Sequence, residues 1–243
     1  MNKTINRWIV ITALLGLIFA AAAVLIKSES SSTASAVEYI PRCEYINIDL
    51  LRLDVAVIPC DELKITLEYT NDIPLDIEYG DNRLSISESD RFVISLFAGS
   101  SSDFGLRVYL PREIYRELNI YTASGDIFVG GVDAMKLSAV SNSGNITAED
   151  TCALSSFISD YGDVSVDFAY VIPDTVIQSR KGNGTLSFPR GSSAAIEFDT
   201  IAGSIGGDAI GGRYDMSGTY GFNGGRNQIQ CAFESGELTV NLQ

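Results

Sequence analysis

The sequence predicts an all-β fold: a single-stranded right-handed β-solenoid, β-helix-like in its repeats, preceded by one N-terminal transmembrane or signal helix. Three observations carry this reading. An uncharged apolar run opens the chain, period-two alternation follows it, and a glycine-marked repeat runs from Leu118 to the C-terminus.

The opening run, Trp8 to Ile26, holds 19 residues with Thr12 as its one clearly polar member. At 1.5 Å per residue it makes roughly 28 Å of helix, close to the thickness of a bilayer's hydrocarbon. Lys3 and Arg7 precede it, which predicts a cytoplasmic N-terminus and an exported remainder. The chain then divides into a transmembrane anchor or signal segment (1–27), a Ser-rich linker (28–38) and one β-domain (39–243). Ala34-Ser35-Ala36 has the A-x-A form of a cleavage site, but it lies ten residues past Ile26 and the apolar run exceeds an ordinary signal core. We therefore expect a retained single-pass anchor in the cell membrane, with release after Ala36 as the alternative.

Charge and composition exclude several functions. The 243 residues carry 17 Lys+Arg against 31 Asp+Glu, and past residue 27 the balance is 14 against 31, a net −17. Duplex nucleic acid needs cations to displace its counterions, so it is not an expected partner. Anionic lipid and wall polymers are repelled as well. With no histidine, the chain has no Ser-His-Asp triad, Cys-His pair or His-bearing zinc site.

Cys43, Cys60, Cys152 and Cys231 allow three pairings and contain no CxxC. Cys43 and Cys60 flank two short strand-like runs and form the candidate disulfide. Cys231 falls at an inward strand position and reads as a small buried thiol. No metal site and no cofactor are expected.

Between Tyr39 and Pro111 the runs Tyr45–Leu50, Leu53–Ile58, Leu63–Tyr69, Leu84–Ser87 and Leu106–Leu110 alternate as strands, separated by turn residues. Only the charged link Pro111–Glu117 offers a short helical alternative. Phe92–Phe97 is an apolar run with no repeat partner, suited to a lid or edge strand.

From Leu118 onward, Ser124-Gly125-Asp126-Ile127, Ser143-Gly144-Asn145-Ile146 and Tyr161-Gly162-Asp163-Val164 recur at nearly equal spacing, followed by looser copies at Gly184, Gly203, Gly221 and Gly236. Taking Gly125, Gly144, Gly162, Gly184, Gly203, Gly221 and Gly236 as turn markers, the positions seven and five before and two after are each apolar in six of seven copies. The 46% apolar composition would give about three. Residues two apart face one side of a strand, so these columns stack inward, while glycine makes a turn that a Cβ would obstruct. Coils stacked about 4.8 Å apart would bury aliphatic columns that no single repeat can bury. A β-sandwich fits less well, because its turns come at shorter intervals and without a repeated motif.

Leu106-Arg107-Val108-Tyr109-Leu110-Pro111, followed by Leu118 to Ile127 and its Ser-Gly-Asp-Ile and Ser-Gly-Asn-Ile copies, resembles the bacterial "putative adhesin" β-strand-repeat family, also called the toastrack domain. The resemblance covers about residues 40–243. It implies a non-enzymatic solenoid at the cell envelope, often tied to membrane anchors and found among envelope-stress systems. In the copies marked by Gly162 and Gly184 the core columns hold Ser155 and Ser179, a departure from the pattern.

Asp126, Asn145 and Asp163 follow the first three marker glycines and would line one edge of the stack. Carboxylates two coils apart would sit about 9 to 10 Å from each other, a spacing open to calcium or an acid pair. Asp and Asn also suit tight turns because they bond nearby backbone, and that role is expected here. Arg180-Lys181-Gly182-Asn183-Gly184 reads as a small basic turn in an acidic domain. The functional expectation is a membrane-tethered extracytoplasmic binding or envelope-sensing module, its partner an envelope protein or glycan. The alternatives are a released adhesin and a carbohydrate-active β-helix enzyme.

Overall fold

The computed structural model describes residues 35–70, 75–89, 105–151 and 153–243. The expected N-terminal helix, Cys152 and the Phe92–Phe97 run lie outside the described residues. Among the described residues there is no helix, and so none long and apolar enough to cross a membrane. Pro111–Glu117 is not helical either: residues 112–114 turn, and a strand begins at Tyr115.

The strands, in chain order, are β1 (Ser35–Ile40), β2 (Tyr45–Leu50), β3 (Val55–Cys60), β4 (Ile65–Thr70), β5 (Leu75–Gly80), β6 (Arg83–Glu88), β7 (Leu106–Pro111), β8 (Tyr115–Thr122), β9 (Ile127–Gly130), β10 (Ala134–Ser141) and β11 (Ile146–Thr151). They continue with β12 (Leu154–Ser159), β13 (Val164–Phe168), β14 (Thr175–Lys181), β15 (Gly184–Phe188), β16 (Ala194–Thr200), β17 (Ser204–Gly207), β18 (Gly212–Tyr214), β19 (Gly218–Phe222), β20 (Asn227–Ser235) and β21 (Glu237–Leu242). β1 begins at Ser35, so the linker expected through residue 38 ends earlier, and Ser35 and Ala36 pair with Thr70 and Tyr69.

Two sheets result. One runs β1-β4-β7-β3-β9-β11-β13-β15-β21-β17-β18, the other β19-β16-β20-β14-β12-β10-β8-β2-β6-β5. Eight coils contribute one strand to each, in the spatial order β6–β7, β2–β3, β8–β9, β10–β11, β12–β13, β14–β15, β20–β21 and β16–β17. Neighbouring coils are parallel throughout. Antiparallel strands close both ends: β4, β1 and β5 at one, β18 and β19 at the other.

Coil order departs from chain order at each end. β2–β3 lies inside β6–β7, and β20–β21 lies inside β16–β17. The segment from β2 to β7, which the sequence shows only as strands, therefore supplies two full coils.

The core is a set of columns between the sheets. Ile86, Ile48, Ile120, Ala139, Phe157, Ile177, Cys231 and Phe198 pair in succession across one sheet. Leu106, Val55, Ile127, Ile146, Val164, Gly184, Leu238 and Ile205 do so across the other. All of these positions are buried, each large side chain contributing about 1.5–3 kcal/mol.

Gly184 is thus a core position in β15 and not a turn. A Cβ there would lie 2.4 Å from Cζ of Phe233, whose ring fills the space. Gly221 is not a turn either; it lies in the antiparallel strand β19, opposite Ala195.

The corner between the sheets is built by Gly125, Gly144, Gly162, Gly182, Gly236 and Gly203 in spatial order. A Cβ on each would stand 2.0–2.6 Å from the carbonyl oxygen of the preceding coil's corner. Of these six only Gly236 has a positive φ, so close approach, and not handedness of the backbone, imposes glycine.

Hydroxyls three residues before the glycines complete the corner. Ser141, Ser159 and Ser179 donate to the carbonyls of Gly125, Gly144 and Gly162 at 3.1, 2.9 and 3.0 Å. Thr122 and Thr200 accept from the N–H of Gly125 and Gly203. With Gly182 as marker, Ser179 falls in this hydroxyl column, which removes its apparent departure from the apolar pattern.

Gly144→Ala is expected to destabilise the domain by about 2 kcal/mol or more, whereas Gly221→Ala stays within about 0.5 kcal/mol. Urea unfolding of both variants checks the register, and equal losses would contradict it.

Candidate functional site

The acidic column predicted at the corner exists, but its chemistry is spent on the backbone. Oδ1 of Asp54 accepts the N–H of Asp126 at 2.7 Å. Asp126 accepts from Asn145, Asn145 from Asp163, Asp163 from Asn183 and Asn183 from Glu237, at 2.7 to 3.0 Å. Each side chain caps the next coil, a role an amide fills as well as a carboxylate. Among the described residues no group of three His, Cys, Asp or Glu is placed to hold a metal ion.

The expected Cys43–Cys60 bridge is not formed; both are free thiols, as is Cys231. Cys43 is buried, while Cys60 is half-buried and falls on the Ala56 and Ile58 side of β3's alternation, opposite the core-facing Val55 and Val57. Burial, reinforced by the Glu113 carboxylate, pushes the Cys43 thiol up to about 11. Burial alone raises that of Cys231.

A hollow lies elsewhere, on the outer face of the β19-to-β5 sheet. Two adjoining cavities of about 310 and 220 Å³ share Gln178, Asp199 and Ala232. Register makes the trough. Gln178 and Asp199 flank Ala232 in adjacent coils, so the small side chain forms a floor between two longer ones.

Ile158 and the 83% exposed Ile201 supply apolar walls. Arg180 crosses the mouth, its Nη2 3.7 Å from Asp160 and its Nε 3.6 Å from Glu234. A hydrogen bond with Tyr161, then the charges of Asp160 and Glu234, raise the Arg180 pKa further. Asp199 accepts from the hydroxyl of Ser217 at 2.9 Å, and Glu197 from the amide of Gln228 at 2.8 Å.

Four carboxylates thus stand against one guanidinium, with the amides of Gln178 and Gln230 between them. The arrangement offers donors and acceptors together in a negative field. The sequence marks Arg180 only as part of a small basic turn. The trough arises from register between strands distant in the chain, and no local motif marks it.

Two outcomes are expected. Asp126→Asn leaves stability within about 0.5 kcal/mol, while Asp126→Leu loses about 1–2 kcal/mol because the N–H of Asn145 loses its acceptor; thermal unfolding compares them. On iodoacetamide treatment at pH 8, peptide mapping finds Cys60 modified ahead of Cys43 and Cys231, which stay protected until denaturant is added.

The family model described as Toastrack DUF4097 matches residues 43–167 and again 117–241. Among solved structures, the chain is similar to a "putative cell adhesion protein" from Clostridium sporogenes, at 12% identity over 86% of this chain and 99% of that one, with a TM-score of 0.46. It is also similar to a "putative adhesin" from Bacteroides fragilis, at 10% identity over 86% and 98%, with a TM-score of 0.44. No curated protein matches it. The two family-model matches together span most of the chain, which therefore belongs to the Toastrack DUF4097 family.

Proposed function

We propose that the chain is a non-enzymatic binding module of the cell envelope, held at the membrane by residues 1–27, whose ligand is a neutral or amino-bearing glycan seated in the trough over Ala232. The observation that carries this reading is the trough itself. Ala232 opens a floor among Gln178, Asp199, Glu197, Gln230 and Arg180, the planar amide, carboxylate and guanidinium groups that match sugar hydroxyls in both hydrogen-bonding senses.

The excess of carboxylates selects against acidic polymers and favours neutral or cationic ones. The corner carboxylates favour binding over hydrolysis. They form a column along the corner, each with an oxygen committed to a backbone N–H of the next coil. Eight residues stand between Ile26 and Ser35, a short link from the proposed anchor to β1.

The released adhesin remains the second reading, supported by Ala34-Ser35-Ala36. Cleavage after Ala36 would remove the first two rungs of β1.

The test uses the full chain in detergent micelles against immobilised neutral, amino and acidic glycans. Wild type is expected to bind one of the first two classes, and Ala232→Trp, filling the floor, to weaken binding roughly tenfold or more with an unchanged circular dichroism spectrum. Equal binding by the Trp variant, or binding confined to acidic glycans, would overturn the reading. Intact mass of the membrane-fraction protein decides between tether and release.

A further inference from the structure

Among the described residues four strands have a neighbour on one side only: β1, β5, β18 and β19. Such an edge presents unpaired N–H and C=O groups, and proteins ordinarily guard it with charge, proline or a bulge. β5 carries Asp76 and Glu78, β1 carries Glu38, and β18 carries Arg213. β19, Gly218-Thr219-Tyr220-Gly221-Phe222, carries no charge and no proline, and its register with β16 runs without a bulge.

We propose that β19 is a self-association edge, pairing antiparallel with β19 of a second copy across a twofold axis. In a twofold antiparallel pair each residue faces the one equally far beyond the axis on the other copy, so charges of one sign on a short strand are brought close together. In a chain with a net −17 past residue 27 that condition disfavours β1 and β5, and it leaves β19 the edge that pairs without repulsion.

Two further observations point to close approach from outside. Gly221 is exposed, and a Cβ there would meet nothing nearer than 3.7 Å, so the chain's own fold does not demand glycine. Its absence of a side chain leaves the backbone open to another strand.

Beside the edge stand Met216 and Tyr214, 65% and 41% exposed, with the Tyr214 ring 4.9 Å from that of Tyr220. This rim would be covered by pairing. Ser217, which bridges Asp199 and Thr200, fixes the segment that leads into β19, so the edge is held ready and need not order on contact. Arg213, the one cation on the adjacent edge, is tied to Asp215 and Glu237, each at 3.4 Å.

β1, through which the chain enters from Ala34, is the end strand of the other sheet, ten strands from β18. A pair joined through β19 keeps both entry points outermost. β19 adjoins β16, whose Glu197 and Asp199 wall the glycan trough, but the floor at Ala232 lies one strand further in, on β20, so failure of the edge would leave that reading standing.

Sedimentation of the full chain in detergent micelles at micromolar concentration tests the proposal. Wild type is expected to sediment as a dimer. Thr219→Lys and Thr219→Glu, on an exposed position of the edge, should each weaken dimerisation roughly tenfold or more, and an equimolar mixture of the two should recover it. Circular dichroism and melting confirm that both variants fold. A monomeric wild type, or a dimer that both variants and their mixture form equally well, would overturn the proposal. Glu78→Lys on β5 should leave the dimer unchanged, and its loss there would assign the interface to the opposite end.

Discussion

The fold depends on one close approach. At the corner where each coil passes from one sheet to the other, the backbone runs so near the preceding coil that a Cβ on Gly144 would lie 2.0 Å from the carbonyl oxygen of Gly125. Parallel strands about 4.8 Å apart can keep that spacing through the corner only if the corner residue has no side chain. The neighbouring positions follow from this. The turn's own hydroxyl meets some of the corner's polar groups, as Thr122 does for Gly125, and neighbouring coils meet others: Ser159 reaches from three residues before Gly162 to the carbonyl of Gly144, and Asn145 reaches from the other side to the N–H of Asp163. At Gly125, Gly144, Gly162 and Gly182 the working motif is a hydroxyl, two free positions, glycine, then Asp or Asn.

That motif decides how much the sequence could disclose. The aliphatic columns and their near-constant period were visible because burial imposes them directly, and they led to the all-β class, the stacked coils and the family. The register of one coil was not visible. Lys181-Gly182-Asn183-Gly184 offers two glycines two apart, and alternation cannot choose between positions of the same parity. The hydroxyl of Ser179 would have chosen, since it stands three residues before Gly182.

Gly221 misled for another reason. Tyr214 and Met216, seven and five residues before it, fill two of the apolar columns by residue type, yet both are exposed, and Gly221 itself lies in the antiparallel cap β19. The two N-terminal coils were hidden because the corner of β2–β3 carries Leu53 where the others carry glycine. Its following residue, Asp54, still joins the ladder of caps.

Coil order was beyond local reading altogether, because a parallel strand takes its neighbours from elsewhere in the chain. The exchange at each end has a physical consequence. Were the coils stacked in chain order, the first and last would form the ends, each with one neighbour and free to fray. Here β2–β3 is held between β6–β7 and β8–β9, and β20–β21 between β14–β15 and β16–β17. Opening an end coil therefore pulls on a segment one of whose flanks, β8 or β15, is held two layers further in. The entropy of closing those longer loops falls on folding, and slow formation of the end coils is the expected counterpart of their stability.

The division of labour within each coil bears on function. Inward positions are fixed by stacking and corner positions by the glycine approach, so Asp126, Asn145 and Asp163, the residues that first suggest chemistry, have the least freedom to perform any. The outward positions at every second residue are under neither constraint. A column of these can change from Ile158 to Gln178 to Ala232 to Asp199 across successive coils without disturbing the stack. Relief and charge on this fold are therefore written on the outer faces, across coils and not along the chain. A ligand on such a surface would be met by whichever side chains neighbouring coils align, and under the proposed reading the trough over Ala232 is where that alignment leaves room for one.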